Sequence, residues 1–168
     1  EYWGFPPSEF PLNGRVWYPD GEGVFPLVLV VHGNHDPRDF SDPGYDYLGD
    51  LLASRGYILA SIDMNFVNGG IRGENDARGW LLLKHLEAWK GFNADDSNPF
   101  AGRVDMNNLA LIGHSRGGGA VMRALSRAWR GLRLHARHPR AMNQDPASRS
   151  ALGSIRDPNR DSGQDRNQ

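Results

Sequence analysis

The sequence contains no cysteine, little net charge and no long apolar run, and each absence excludes a class of function. Without cysteine there is no disulfide framework, no thiolate nucleophile and no cysteine-based zinc site. A net charge of −1 gives no electrostatic footprint for nucleic acid or an anionic membrane. No apolar run approaches the ~18–20 residues that span a bilayer. The first residues show no signal sequence, and both a cytoplasmic and a secreted location stay open.

Patterns that bind nucleotides or metals are also missing. Neither a G-x-G-x-x-G pattern nor a Walker A motif occurs, so no nucleotide site and no cofactor are expected. His32, His35 and Asp36 lie together in the stretch HGNHD, but no partner pattern such as H-E-x-x-H accompanies them. We therefore expect His32 to support a turn, and we expect no metal site.

The chain does contain an alternation of apolar runs and helical periodicity that ends near Trp129. The strand candidates are GRVWYP (14–19), PLVLVVHGN (26–34), YILASID (57–63) and NLALIG (108–113). The helix candidates are YDYLGDLLASRG (45–56), ENDARGWLLLKHLEAW (74–89) and the stretch that follows NLALIG. Because parallel strands need crossover connections, this order predicts an α/β domain with a mainly parallel sheet and helices on both faces.

The apolar spacing also predicts which side chains are buried. NLALIG is expected to be a buried strand, and each helix is expected to bury one stripe. The stripes are Leu48, Leu51 and Leu52; Leu82, Leu86 and Trp89; and the pairs Ala120/Val121, Ala124/Leu125 and Ala128/Trp129. Trp80 falls on the opposite face from Trp89 and is expected to pack in the outer shell of the core.

The composition changes near residue 130 and divides the chain into residues 1–130 and residues 131–168. The second segment has no aromatic residue and few large aliphatic ones, and it is rich in Arg, Ser, Asp, Asn and Gln. Such a segment buries too little apolar surface to offset its ordering entropy. It is predicted to be a disordered tail or a non-native continuation.

The stretch LALIGHSRGGGAV (109–121) places a serine in a G-x-S-x-G pattern between a predicted strand and a predicted helix. Gly113 and Gly117 remove side chains that would collide across such a sharp turn. The start of the helix supplies free N–H groups and a partial positive charge for a developing oxyanion. The pattern predicts that Ser115 is a nucleophile, and the alternative is a serine that only caps the helix.

With these motifs, residues 10–129 resemble the N-terminal half of an α/β-hydrolase, closest to the bacterial chlorophyllase, dienelactone-hydrolase and polyester-hydrolase-like esterases. The resemblance rests on FPLVLVVHGNH, LGDLLASRGYILASIDMN, ARGWLLLKHLEAW and GRVDMNNLALIGHSRGGGAV. It implies that Ser115 is the nucleophile and that the backbone N–H groups of Asn34 and Arg116 form the oxyanion hole. Many relatives carry Met or another apolar residue where Arg116 stands, but only the N–H is needed there.

The other members of a catalytic triad cannot be assigned. In this fold an acid and then a histidine follow the serine along the chain. The histidines after Ser115 are His135 and His138, and the first acid is Asp145, which no histidine follows. A truncated chain or a tail that is not the natural continuation is favoured over a histidine that folds back onto Ser115.

Three functions therefore stay open. The first is a serine hydrolase that acts on a small-molecule or acyl ester, and the second is a catalytically incomplete fragment that serves in binding or assembly. The third and least favoured is a metal-assisted hydrolase that uses the stretch HGNHD. The oligomeric state is not predicted. The remaining polar candidates are given structural roles: Asp63 as a loop anchor, Asp105 as a turn residue, His114 as a packing residue, and His85 as a core or surface histidine.

Overall fold

The computed structural model of the protein describes residues 11–69 and 73–137, with side chains as far as residue 130. Strands and helices alternate along this part of the chain in the predicted order. The elements are β1 (Asn13–Trp17), β2 (Phe25–Val31), α1 (Asp46–Ala53), β3 (Ile58–Asp63), α2 (Glu74–Ala94), β4 (Val104–Gly113) and α3 (Arg116–Arg137). Short 3-10 turns precede α1 at Asp42–Tyr45 and follow β3 at Asn65–Val67. Each predicted element is confirmed, with ends shifted by a few residues.

The strands form one sheet in the order β1-β3-β2-β4. Both β3 and β4 run parallel to β2, whereas β1 runs antiparallel to β3. Val31 at the end of β2 pairs with Ile62 of β3 and with Gly113 of β4. The mainly parallel sheet is therefore confirmed, and the carboxyl ends of three strands meet at one edge, where ligands bind in such sheets.

Helices cover both faces of this sheet. Alternate residues of β2 point to opposite faces, so Leu27, Leu29 and Val31 join the larger core with α2 and α3, while Val28 and Val30 pack beneath α1. The predicted stripe of α2 is confirmed, since Leu82 and Trp89 are fully buried and Leu86 packs against the larger core. Trp80 is a partly buried neighbour of the same core, as expected.

Burial along β4 and α3 is lower than predicted. Residues 107–110 of β4 are exposed, and Leu109 and Ile112 keep 40% and 38% of their surface accessible. In α3 the small residues Ala120 and Ala124 are buried, but Leu125 is exposed. The prediction of burial was wrong here because an apolar run indicates a strand or a stripe without showing whether a neighbour covers it. In the described part of the chain β4 is the last strand on its side of the sheet.

The boundary predicted near residue 130 falls within α3. Residues 138–168 lie outside the described residues, so the character of the tail stays a prediction. None of the described helices is long and apolar enough to cross a membrane.

Candidate active site

Ser115 forms the turn between β4 and α3 in the left-handed backbone conformation. Its φ of 52° is the only positive φ at a non-glycine position among the described residues. The next residue, Arg116, begins α3, so Ser115 stands at the helix N-terminus and its side chain is exposed. For a residue with a Cβ this conformation costs about 1–2 kcal/mol, because the Cβ crowds the following carbonyl oxygen. Strained residues of this kind cluster at functional sites.

The two glycines that flank Ser115 allow backbone contacts that any side chain would prevent. A Cβ on Gly113 would lie 2.4 Å from the carbonyl group of Gly117. A Cβ on Gly117 would lie only 2.0 Å from the carbonyl oxygen of Val31. Real Cβ atoms do not approach heavy atoms this closely, so a larger residue at either position would displace the turn from β2.

The loop after β2 lies directly against this turn. A Cβ on Gly33 would be 3.0 Å from the Cβ of Ser115, and the backbone N–H of His114 donates to the carbonyl of Val31 at 3.0 Å. Asn34 follows in the same loop, where its side-chain oxygen accepts a hydrogen bond from the N–H of Gly69 at 3.1 Å. The structure thus brings the loop of Asn34 to the turn of Ser115 and Arg116. The oxyanion role of the two N–H groups stays a prediction.

The side chain of His32 holds this loop in place through two hydrogen bonds, as expected. It is buried, and its Nε2 accepts a hydrogen bond from the backbone N–H of Met64 at 2.9 Å. Its Nδ1 therefore carries the proton and donates to the carbonyl of Gly33 at 2.7 Å. Burial lowers the pKa of His32 to about 4, so the ring is neutral at pH 7 with both nitrogens engaged.

A pocket of about 460 Å³ opens beside the turn. Its lining includes Phe40, Tyr45 and Tyr47, together with His35 and His114. The rings of these two histidines lie nearly parallel with their centroids 6.1 Å apart, and both side chains are exposed, so the packing role of His114 stays a prediction. The described residues include no group of three His, Cys, Asp or Glu side chains that could hold a metal ion.

A buried charge cluster beneath the turn was missed from the sequence. The side chains of Glu74 and Arg78 are 3% and 0% exposed, and a carboxylate oxygen of Glu74 lies 3.8 Å from a guanidinium nitrogen of Arg78. The other carboxylate oxygen contacts the guanidinium of Arg116 directly. Burial lowers the pKa of Arg78 to about 10, which leaves it charged at neutral pH. The sequence indicated this pair only through the i, i+4 spacing of Glu74 and Arg78 at the start of α2, and that spacing is equally typical of an ion pair on an exposed helix surface.

The structural roles predicted for other acids are confirmed. Asp63 accepts a hydrogen bond from the backbone N–H of Asn65 at 2.9 Å and so anchors the loop after β3. Asp105 accepts from the backbone N–H of Asn107 at 3.0 Å and from the side chain of Asn108 at 2.6 Å. The side-chain hydrogen bond from Asn108, followed by the one from the Asn107 backbone, holds the pKa of Asp105 below its usual value.

The histidines after Ser115 are not brought to it by the described structure. His135 lies in α3, which continues without a break from Arg116 to Arg137. At a rise of 1.5 Å per residue, His135 stands about 30 Å from Ser115 along the helix axis, beyond the reach of an imidazole. The continuous helix therefore argues against a fold-back of His135, the alternative that the sequence disfavoured, while His138 and Asp145 lie outside the described residues.

Most of the chain is similar in sequence to known proteins. The sequence model of a family described as PET hydrolase-like matches residues 8–149. A bis(hydroxyethyl) terephthalate hydrolase of Streptomyces coelicolor is 30% identical over 114 residues, which cover 67% of this chain and 33% of that protein. Cutinase est1 of Thermobifida alba is 26% identical over 114 residues, covering 68% of this chain and 35% of the relative. A cutinase of Thermobifida fusca is 27% identical over 114 residues, covering 68% and 32%. The chain spans about a third of the length of these curated relatives.

Proposed function

Because this chain belongs to the PET hydrolase-like family of α/β-hydrolases, we propose that it supplies the nucleophile and oxyanion hole of a serine hydrolase acting on carboxylic esters. The observation that carries the proposal is the strained φ of 52° at Ser115, between a parallel strand and a helix. The loop of Asn34 packs against this turn through Gly33. Such strain persists only where the surrounding structure imposes it, and here close contacts to β2 do so.

The proposed chemistry begins with attack of the Ser115 hydroxyl oxygen on the ester carbonyl carbon. The carbonyl oxygen becomes an oxyanion that accepts hydrogen bonds from the backbone N–H groups of Asn34 and Arg116. Collapse of this intermediate expels the alcohol and leaves an acyl group on Ser115, which water then removes. Both N–H groups belong to the backbone, so the side chain of Arg116 does not interfere with this role.

The serine proton requires a base, because a serine hydroxyl is a weak nucleophile at neutral pH. His32 cannot supply it, since both of its ring nitrogens are hydrogen-bonded and burial lowers its pKa to about 4. His85 is equally unsuited, because its ring is buried and burial lowers its pKa to about 4. The base of the proposed hydrolase is therefore neither His32 nor His85.

The pocket beside the turn reaches His114 but not Ser115 itself, so it offers room for the part of a small ester that lies away from the reacting carbonyl. Its volume of about 460 Å³ falls within the range typical of small-molecule sites. The rings of Phe40, Tyr45 and Tyr47 offer apolar faces to an acyl or aromatic group. The names of the relatives, cutinases and a bis(hydroxyethyl) terephthalate hydrolase, fit an ester with either an acyl or an aromatic group.

The second candidate is a catalytically incomplete piece that binds or assembles without turning over substrate. It is favoured by one observation, the lack of an acid followed by a histidine after Ser115. A missing base costs about 10⁶ in turnover, while roughly 10³–10⁴ over water survives from the oxyanion hole and binding. The two candidates therefore differ in rate rather than in the position of the nucleophile.

The test compares residues 1–168 with a Ser115→Ala control. We expect the wild-type chain to hydrolyse p-nitrophenyl acetate or butyrate little faster than the control, measured as initial rate per mole. A fluorophosphonate probe also needs an activated serine, so we expect slow labelling, read by peptide mass spectrometry, that falls on Ser115 and is absent from the control. Labelling spread equally over other serines would contradict the nucleophile. Rapid turnover that Ser115→Ala abolishes would show that a base is already present in these residues.

A further inference from the structure

We propose that Glu74 is a positioning residue that links the two halves of the oxyanion hole through Arg116 and Arg78. Its importance for catalysis rests on the proposed function, whereas the link itself does not. The carboxylate of Glu74 is buried at the start of α2 and makes ion pairs with two guanidinium groups. One of these leads to the turn after β4, and the other leads to the loop after β2.

The first contact fixes the turn. Arg116 is the residue whose backbone N–H is proposed as an oxyanion donor, and its guanidinium directly contacts the carboxylate of Glu74. The side chain of Arg116 is 46% exposed, whereas that of Glu74 is 3% exposed, so the pair reaches from the surface into the interior. An apolar side chain at this position would give the turn no such attachment to α2.

The second contact fixes the loop. Arg78 lies against Glu74 and donates to the carbonyl of His32 at 3.4 Å and to the side-chain oxygen of Asn68 at 2.5 Å. His32 is the residue before Gly33 and Asn34, and the loop of Asn68 is in turn held by the bond from Gly69 to Asn34. Arg78 therefore attaches the Asn34 side of the hole to the same carboxylate.

The charges of the cluster suit a developing oxyanion. One carboxylate and two guanidinium groups leave these three side chains with a net positive charge beneath the proposed N–H donors. Positive charge held in a fixed position beside the reacting group stabilises negative charge that develops during the reaction. The carboxylate oxygens of Glu74 make ion pairs but no aligned hydrogen bond, so their charge depends on the two arginines. Removal of Glu74 would leave the buried charge of Arg78 uncompensated, whereas removal of one arginine would leave Glu74 paired with the other.

A simple role in packing α2 against α3 is the competing explanation, and the chain provides a matched control. Asp76 and Arg123 also join these two helices, at 3.4 Å, but their side chains are 51% and 58% exposed. They lie on the surface and contact neither the turn nor the loop in the described contacts. Since a surface pair contributes little to stability, the peptide over Ile58–Asp63 is the second reference, because a general loss of stability would accelerate its exchange as much as that of the two linked segments.

The experiment measures amide hydrogen exchange in peptides that cover residues 31–34 and 113–119. We expect Glu74→Gln and Arg116→Met each to accelerate exchange about tenfold in both peptides, because the opening of either segment becomes easier. Asp76→Asn should change neither peptide, and Arg116→Lys should restore most of the protection, because it keeps a cation opposite Glu74. Acceleration confined to the mutated segment, or equal acceleration in Asp76→Asn, would overturn the proposal. Arg116→Met changes a half-exposed side chain and keeps the measurement possible if Glu74→Gln fails to fold.

Fluorophosphonate labelling of Ser115 separates this proposal from the proposed function. If the wild-type chain is not labelled, Ser115 is not an activated nucleophile in residues 1–168, and the exchange data still decide whether Glu74 links the two segments. If it is labelled, we expect labelling about tenfold slower in Glu74→Gln and Arg116→Met and unchanged in Asp76→Asn. An unchanged rate in the first two variants would refute a positioning role for Glu74.

Discussion

The left-handed conformation of Ser115 predicts an unusual response to glycine. Glycine adopts a φ of 52° without the steric cost of a Cβ, which is about 1–2 kcal/mol. Glycine also loses about 0.5–1 kcal/mol more conformational entropy on folding than alanine. The difference predicts that Ser115→Gly is more stable than Ser115→Ala by about 0.5–1 kcal/mol, which corresponds to about 1–4 °C in Tm for a domain of this size.

Alanine is the correct reference because it removes the hydroxyl and keeps the Cβ and its strain. Ser126 provides the control of opposite sign, since it lies within the right-handed helix α3 and its side chain is exposed. There Ser126→Gly should be less stable than Ser126→Ala by about 1 kcal/mol. Thermal and urea unfolding of the four variants would measure both differences. A Ser115→Gly protein no more stable than Ser115→Ala would refute the strain assigned to the turn.

Two further predictions concern the flanking glycine and the buried histidine. Gly117→Ala should destabilise the fold by about 1–3 kcal/mol or prevent folding, since its Cβ would meet the carbonyl of Val31 at 2.0 Å. Gly118→Ala is the control: the nearest contact of its Cβ is at 3.6 Å, so thermal unfolding should show it to be more stable than the wild type by up to about 1 kcal/mol. Burial lowers the pKa of His85 to about 4, whereas in the unfolded chain the ring ionises near 6.5. The unfolded chain therefore binds the proton first, and stability should fall as pH drops from about 6.5 to 4. His85→Leu should reduce this loss by up to about 1.4 kcal/mol per pH unit in urea unfolding, and an unchanged slope would contradict the assignment.

The sequence was sufficient to predict the order of elements because local patterns determine it. The unbroken apolar run of β2 indicates a strand that is covered on both faces, and the spacing of Leu82, Leu86 and Trp89 indicates a helix that buries one face. The turn at Ser115 was likewise predictable, since its glycines are required by contacts within the motif and with β2. These features depend on neighbours in the chain or on a single strand pairing.

Features that depend on distant neighbours were not predictable. The exposure of Leu109 and Leu125 follows from the position of β4 at one side of the described sheet, which no apolar pattern encodes. The contact between Glu74 and Arg116 joins the first turns of two helices that a whole strand separates in the chain. Nothing in the sequence around Glu74 or Arg116 indicates that the partner of each lies in another helix, so the cluster beneath the turn could be found only in the folded structure.

The pairing of β2 with β4 also determines when the site comes into existence. Val31 and Gly113 are neighbours in the sheet although more than eighty residues separate them in the chain. Pairings of such high sequence separation close late and slowly during folding, because the entropy of a long loop is lost before any contact compensates for it. Ser115 and the loop of Gly33 come together only when this final pairing forms. A molecule whose earlier strands and helices have folded would thus still lack the site until β2 and β4 pair.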